Sequence, residues 1–219
     1  MRSAFIETLP VVTLGLVNLR GSALMIGPID LLRFGRATVT QRSVEWPIRD
    51  GLLAATSGGR WRIESTEDSV VATVTGYRPR LPRPIYRLTQ LQVHMLFTRL
   101  LLLRIRGRDP APGTIAAPHD RVRAASVDVA FCMTLARLTG RRSLRRTLLI
   151  AAAYHVACWS TTGRTLGGEV MRQRVVAVDG SRLTPAQSLL RLVMLPASWI
   201  TWRPLHDEVA GSMVMTDEK

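Results

Sequence analysis

The sequence predicts an α+β chain: an N-terminal antiparallel β-sheet with a long helix, followed by a helical domain of about three short helices and one β-hairpin. Three observations lead there. Val- and Thr-rich runs separated by turn residues occupy residues 35–77, and a proline-rich break then gives way to apolar residues at helical spacing. The second half holds further apolar helical runs, the last opened by a Thr-Pro-Ala-Gln start signal.

In chain order, Met1 to Arg20 has an early Arg and an apolar stretch from Leu9 to Leu19. Glu7 stands at its start and no small-x-small cleavage site follows, so it is expected to be mature protein forming a short helix or strand. Ala37 to Trp46 and Val70 to Tyr77 read as strands from their Val and Thr content, and Trp61 and Ile63, two residues apart, mark another. Ser57-Gly58-Gly59 and Glu67-Asp68-Ser69 supply the turns between them. A sheet of about three or four strands follows.

The run Arg78-Pro79-Arg80-Leu81-Pro82-Arg83-Pro84 ends the sheet, because its prolines fix φ and remove backbone donors. Beyond it Ile85, Leu88, Leu91, Met95, Leu96, Leu102 and Leu103 recur near helical spacing, which predicts one amphipathic helix of about twenty residues. Residues 108–119, with Asp109-Pro110-Ala111-Pro112-Gly113 and Pro118, read as a Pro/Gly-rich linker. It divides an α+β domain at 1–107 from a helical domain at 120–215. In the latter, Val122 to Leu138 and Thr147 to Thr161 predict two helices joined by a tight basic turn. Val175 to Val178 reads as a strand with Asp179-Gly180 as its hairpin turn. Thr184, Pro185 and Gln187 form an N-cap, first-turn proline and capping-box partner, and the helix they open runs to Pro196, which ends or kinks it.

Composition narrows the function. The chain of 219 residues carries 30 Lys+Arg against 16 Asp+Glu, a formal net charge of +14, and its lone lysine is Lys219. With 47% apolar residues it is no disordered basic tail, and 21% charged residues with a mean hydropathy of +0.12 place it between a soluble domain and a polytopic membrane protein. Two cysteines, Cys132 and Cys158, are too few for a disulfide scaffold and lack zinc-ligand spacing. No catalytic motif is present, so no enzyme activity, catalytic residue, metal ligand or cofactor is assigned.

In the second half Arg121, Ala124 and Asp128 stand in an Arg-x-x-Ala-x-x-x-Asp spacing. Gly163-Arg164-Thr165-Leu166-Gly167 follows, then Arg174 through the Val-rich strand to Asp179-Gly180, then Arg191, and finally Arg203 with Asp207. These ordered elements, over about residues 120–215, resemble the RDD family of membrane domains. The resemblance implies a membrane-associated protein with a role in transport or as an accessory to a membrane complex, and it implies that Arg121, Asp128, Gly163, Thr165, Gly167, Asp179, Gly180, Arg191 and Asp207 are its motif residues. Gly168 stands where the family has a lysine.

The helices are short for that role. Crossing a hydrocarbon core of about 30 Å takes about 20 predominantly apolar residues. The longest charge-free stretch of this half, Thr147 to Gly163, includes His155 and several hydroxyls; the first helix contains Asp128, and the third Arg191 and Pro196. Each charge at a helix centre costs about 2.5–3.5 kcal/mol on insertion. The arginines Arg137, Arg141, Arg142, Arg145 and Arg146 crowd one loop, while basic flanks on both sides leave no clean topology. The expected location is the cell membrane, either integral through short helices or peripheral on the cytoplasmic face.

Arg121 and Asp128, two helical turns apart, share one face; they read either as part of an ion or proton pathway or as a paired brace that fixes helix packing. His155 and Cys158 offer two metal ligands where a metal needs more, and read as packed core residues. His206 is only adjacent to Asp207, which does not make an acid–base pair. The stretch Ser69 to Arg108 holds eight arginines and no acid. With few aromatics and no nucleic-acid motif, it suits anionic membrane lipids better than phosphodiesters, so nucleic acid is an unlikely partner. Other membrane subunits are a further partner class. Two alternatives stay open: a lipid or hydrophobic-ligand-binding module in the N-terminal domain, with sheet and helix enclosing a pocket, and an Arg-rich nucleic-acid binder.

Overall fold

The computed structural model of the chain describes residues 7, 9–10, 13, 15–67, 69–106, 113–139 and 143–217. It consists of two compact units, Met1–Gly107 and Arg108–Lys219.

Among the described residues the N-terminal unit holds a seven-stranded antiparallel sheet followed by two helices. Its strands are β1 (Val17–Arg20), β2 (Ala23–Ile26), β3 (Ile29–Phe34), β4 (Thr38–Val39), β5 (Ser43–Asp50), β6 (Gly59–Ser65) and β7 (Val70–Thr75), in the order β1-β2-β3-β5-β6-β7 with β4 also on β5. More strands form than the composition predicts, because β1 to β3 are only four to six residues long and none of them is a Val- and Thr-rich run. Their signal lies in the loops: Gly27, at φ +56°, opens the two-residue Gly27-Pro28 connection between β2 and β3, a backbone region open to glycine at little cost. Pro47 sits within β5 where its partner changes from β4 to β3, so its missing N–H breaks no ladder bond with either.

One face of this sheet buries Leu32, Phe34, Val44, Trp46, Ile48 and Ile63, and Trp46 stacks on Trp61 across the β5–β6 pair at 5.3 Å between ring centroids. The helical stretch after the prolines splits at Thr89 into α1 (Arg83–Leu88) and α2 (Gln90–Arg106). Leu101 of α2 joins the sheet core. Half of residues 1–20 lie outside the described ones; of the rest, Glu7, Leu9 and Pro10 are helical and Val17–Arg20 form strand β1.

The C-terminal unit holds α3 (Pro118–Leu138), α4 (Leu144–Thr161), α5 (Leu166–Val170), α6 (Pro185–Thr201) and α7 (Leu205–Ala210), with a sheet of β8 (Thr114–Ile115), β9 (Gln173–Ala177) and β10 (Ser212–Thr216). Thr114 and Ile115 thus bring the end of the Pro/Gly-rich stretch 108–119 into this sheet, as an edge strand on β10. The α+β class stands, with a corrected detail: β9 pairs with β10 and not across the Asp179-Gly180 turn. That turn closes locally, Ala177 N–H donating to Ser181 O at 2.8 Å. α6 begins with the expected capping box, Thr184 Oγ1 accepting from Gln187 N–H and Gln187 Oε1 from Thr184 N–H at 3.1 Å. It runs through Pro196 to Thr201 and stops at Trp202, which adopts φ +53°.

Candidate functional site

Six of the motif residues, Arg121, Asp128, Thr165, Gly167, Arg191 and Asp207, gather into two buried polar clusters. α3 supplies both from one face, whose buried residues Ala124, Asp128, Cys132 and Ala136 recur every four positions, one helical turn with slight drift.

The first cluster surrounds Asp128, only 4% exposed. Its Oδ1 accepts from Tyr154 Oη at 2.9 Å and from Gly167 N–H at 2.8 Å, the latter in the first turn of α5. A carboxylate on free N–H groups at a helix start is a favourable pairing, although the short α5 contributes little dipole. Tyr154 Oη also accepts from Leu166 N–H at 2.6 Å. Burial, reinforced by the bond to Asp128 and opposed by the Leu166 donation, holds the Tyr154 phenol well above its ordinary value. Thr165 caps the same helix, its Oγ1 accepting from Gly168 N–H at 3.0 Å. Gly167 is obligatory, because a Cβ there would lie 2.0 Å from Ala124 O. The Arg-x-x-Ala-x-x-x-Asp and Gly-x-Thr-x-Gly runs are therefore two halves of one contact between α3 and α5.

The second cluster surrounds Asp207 of α7. Arg121 of α3 donates to its Oδ2, Arg191 of α6 to its Oδ1, and Ser212 Oγ donates to Oδ1 at 2.9 Å. Arg191 also donates to Ser212 Oγ at 2.6 Å and lies over the Trp159 ring, 5.0 Å from its centroid. Burial, with the Arg121 charge second, pushes the Arg191 guanidinium down to about 9, still charged at neutral pH. Two arginines share one carboxylate, so the cluster is net positive.

His206 joins it in a fixed form. Its Nε2 lies 3.1 Å from Arg121 Nη2, and a guanidinium can only donate, so Nε2 is the acceptor. Nδ1 then carries the proton and donates to Ser198 Oγ at 2.8 Å. Burial, with the charges of Arg191 and then Arg121, pushes this imidazole down to about 3.

The structure corrects the reading of Arg121 and Asp128 as a mutual pair. They lie on one helix face, but Arg121 reaches Asp207 whereas Asp128 serves Tyr154 and α5. Gly163 makes the turn after α4 at φ +78°, and Asp179 with Gly180 serves the turn after β9, Asp179 Oδ1 accepting from Ser181 N–H at 3.0 Å. His155 packs between Tyr154 and Trp159, its ring 5.0 Å from each, and its Nδ1 donates to Ala151 O. Burial first, and the Asp128 charge second, pushes up both the Cys132 and Cys158 thiols. Among the described residues no group of three or more His, Cys, Asp or Glu is arranged to hold a metal. Tyr154, Ser198 and Ser212 were not marked by sequence, since their partners come from other elements and no local spacing singles them out.

The N-terminal unit holds a different kind of site. A cavity of about 460 Å³ opens between the sheet and α2, with Leu24, Phe34, Ile48 and Trp61 on one side and Phe97 and Leu101 on the other. Tyr77, Gln90, His94 and the threonines Thr13, Thr89 and Thr98 are the polar residues of its wall.

A helical unit braced by buried Arg–Asp pairs, with a small three-stranded sheet, is the class this geometry defines. Residues 146–215 match the model of the RDD family, from within α4 to within β10. This is the family that the motif residues resemble, and it is one of membrane-associated domains. Arg121 and Asp128 lie before the matched residues. No curated protein and no solved structure matches the chain.

Proposed function

We propose that the chain is a non-enzymatic protein held at the surface of an anionic membrane, its RDD-family unit seated shallowly in the lipid interface. The observation that carries this reading is the end of α6. Trp199, Ile200 and Trp202 are 75%, 80% and 94% exposed, in a run that continues into Arg203 and Pro204 without burial. Two tryptophans and an isoleucine in water are costly, whereas indole rings at head-group depth are favoured. The N-terminal part of α4 adds exposed Leu144, Leu148 and Leu149 beside Arg145 and Arg146. Among the described residues no helix is long and apolar enough to cross a membrane, which supports shallow seating over spanning. A formal charge of +14 favours anionic lipid, with each basic residue near the surface contributing about 1 kcal/mol. An accessory role beside other membrane subunits is compatible with this seating.

Membrane fractionation with a carbonate wash tests it. Release into the wash supports surface seating; complete retention in the pellet overturns it in favour of insertion, and full solubility without detergent overturns any membrane association.

A second reading applies to the N-terminal unit: it binds a lipid or other apolar ligand. The cavity supports this, since its volume lies within the range of about 300–1,000 Å³ typical of ligand pockets and its walls are almost wholly apolar.

A further inference from the structure

Resting on that second reading, we propose that α1 docks the cavity of the N-terminal unit on an anionic lipid bilayer, so that its apolar ligand passes between bilayer and protein without crossing water. α1 stands at the edge of the cavity. Leu81 shortly before it and Thr89 just after it belong to the wall. Tyr86 within it is turned inward, its ring centroid 6.2 Å from that of Tyr77 and 6.4 Å from that of His94, both wall residues. The segment is anchored on that inner side, where Arg80 N–H donates to Leu53 O at 3.1 Å and Ala55 N–H to Arg78 O at 2.9 Å.

The apolar face of α1 is turned out. None of its residues is buried, and Ile85 and Leu88, three positions apart and so on one face, are 50% and 79% exposed. A helix of six residues is marginal by itself and ordinarily leans on an apolar face packed into a core. The wall residues Leu81 and Val93 are exposed as well, so apolar surface runs from the mouth of the cavity onto α1.

Charge selects the partner. Arg78, Arg80, Arg83 and Arg87 are exposed along the same segment, and the sequence has no acid from Ser69 to Arg108. Arg83 and Arg87, four apart, project from the side of α1 opposite Ile85 and Leu88. This is the arrangement of a helix lying in a lipid interface, its apolar face down and its guanidiniums reaching for head-group phosphates. A second copy of the chain would set the same four arginines against each other. An anionic bilayer answers the charge, covers the apolar face and is also where a ligand suited to an apolar cavity resides.

The experiment uses the full chain and a pyrene-labelled methyl ester of dodecanoic acid, which is uncharged, so that arginine does not itself draw it from the vesicle. Loss of pyrene excimer emission reads its departure from phosphatidylglycerol vesicles onto the protein. The expected rate rises with vesicle concentration, as transfer on contact requires, and is about tenfold or more above the rate from phosphatidylcholine vesicles. Ile85→Ser with Leu88→Ser is expected to slow transfer about tenfold, while loading from cyclodextrin and co-sedimentation through the C-terminal unit stay in place. Neither residue is buried, so this variant should fold; the dependence on vesicle concentration, read on the unaltered chain, is decisive even if it does not. A rate independent of vesicle concentration, or one that the double serine variant leaves unchanged, overturns docking through α1 and leaves the apolar-ligand reading intact. Failure of the probe to load from cyclodextrin overturns that reading and the docking with it. Duplex DNA binding that is lost in Arg83→Gln with Arg87→Gln, with transfer unchanged, would assign the surface to nucleic acid instead.

Discussion

His206 gives the sharpest quantitative test of the buried cluster. Its folded-state value of about 3 lies below the ordinary 6.5 because the ring is buried and faces the Arg191 and Arg121 charges. As pH falls the unfolded chain therefore takes up the proton first, so this contribution is intact above about pH 6.5 and declines toward pH 3. The slope in that window is about 1.4 kcal/mol per pH unit, so going from pH 7 to pH 5 costs the C-terminal unit about 2 kcal/mol. Urea unfolding followed by tryptophan fluorescence across this range measures the loss. His206→Gln is the matched control: its amide can accept from Arg121 and donate to Ser198 but cannot titrate. Subtracting the two curves cancels every other titrating group, including His94, which is also shifted down but lies in the other unit. An unchanged pH slope in His206→Gln, or a His206 ring that titrates near 6.5 in the folded state by NMR, would refute the neutral, Arg-facing histidine.

Other expectations follow from the same geometry. Gly167→Ala places a methyl group against the Ala124 carbonyl and is expected to cost about 3 kcal/mol in denaturant unfolding of the C-terminal unit; a loss below about 1 kcal/mol would mean that α5 and α3 part easily. Asp207→Asn leaves two buried guanidiniums without their anion and should cost about 3–5 kcal/mol, whereas replacing Arg121, Arg191 and Asp207 together with apolar residues should recover much of that loss. Trp199→Ala with Trp202→Ala should weaken co-sedimentation with phosphatidylglycerol vesicles about tenfold or more without changing the unfolding midpoint; unaltered sedimentation would move the lipid contact elsewhere. Duplex DNA at about 50 mM salt should not be retained, and tight, steeply salt-dependent binding would restore the nucleic-acid alternative.

The division of the chain into strands and then helices is visible in sequence because each element carries its own periodicity or turn chemistry. Trp61 and Ile63, two apart, do face the sheet interior to different depths, and Thr184 with Gln187 does cap α6. What escapes is whatever depends on residues far apart. β9 has an acceptable hairpin turn after it, yet its partner is β10, because the pairing is decided by how α6 and α7 return the chain. Arg121 and Asp128 are correctly placed on one helix face, but the same face meets α7 near one end and α5 and α4 further along, so spacing alone gives the wrong partners.

The position of β10 has a consequence for how the C-terminal unit is made. It lies between β8 and β9 and is synthesised after both, and Asp207 and Ser212 likewise follow Arg121 and Arg191. On the ribosome, then, both flanking strands and both arginines wait for a shared keystone. Until residues 205–216 have left the exit tunnel, two strand edges lack their neighbour and two guanidiniums lack their anion, so the unit cannot close from its N-terminal side. Premature termination anywhere before Asp207 would yield not a shortened domain but an unsealed one, with bare strand edges open to aggregation and proteolysis.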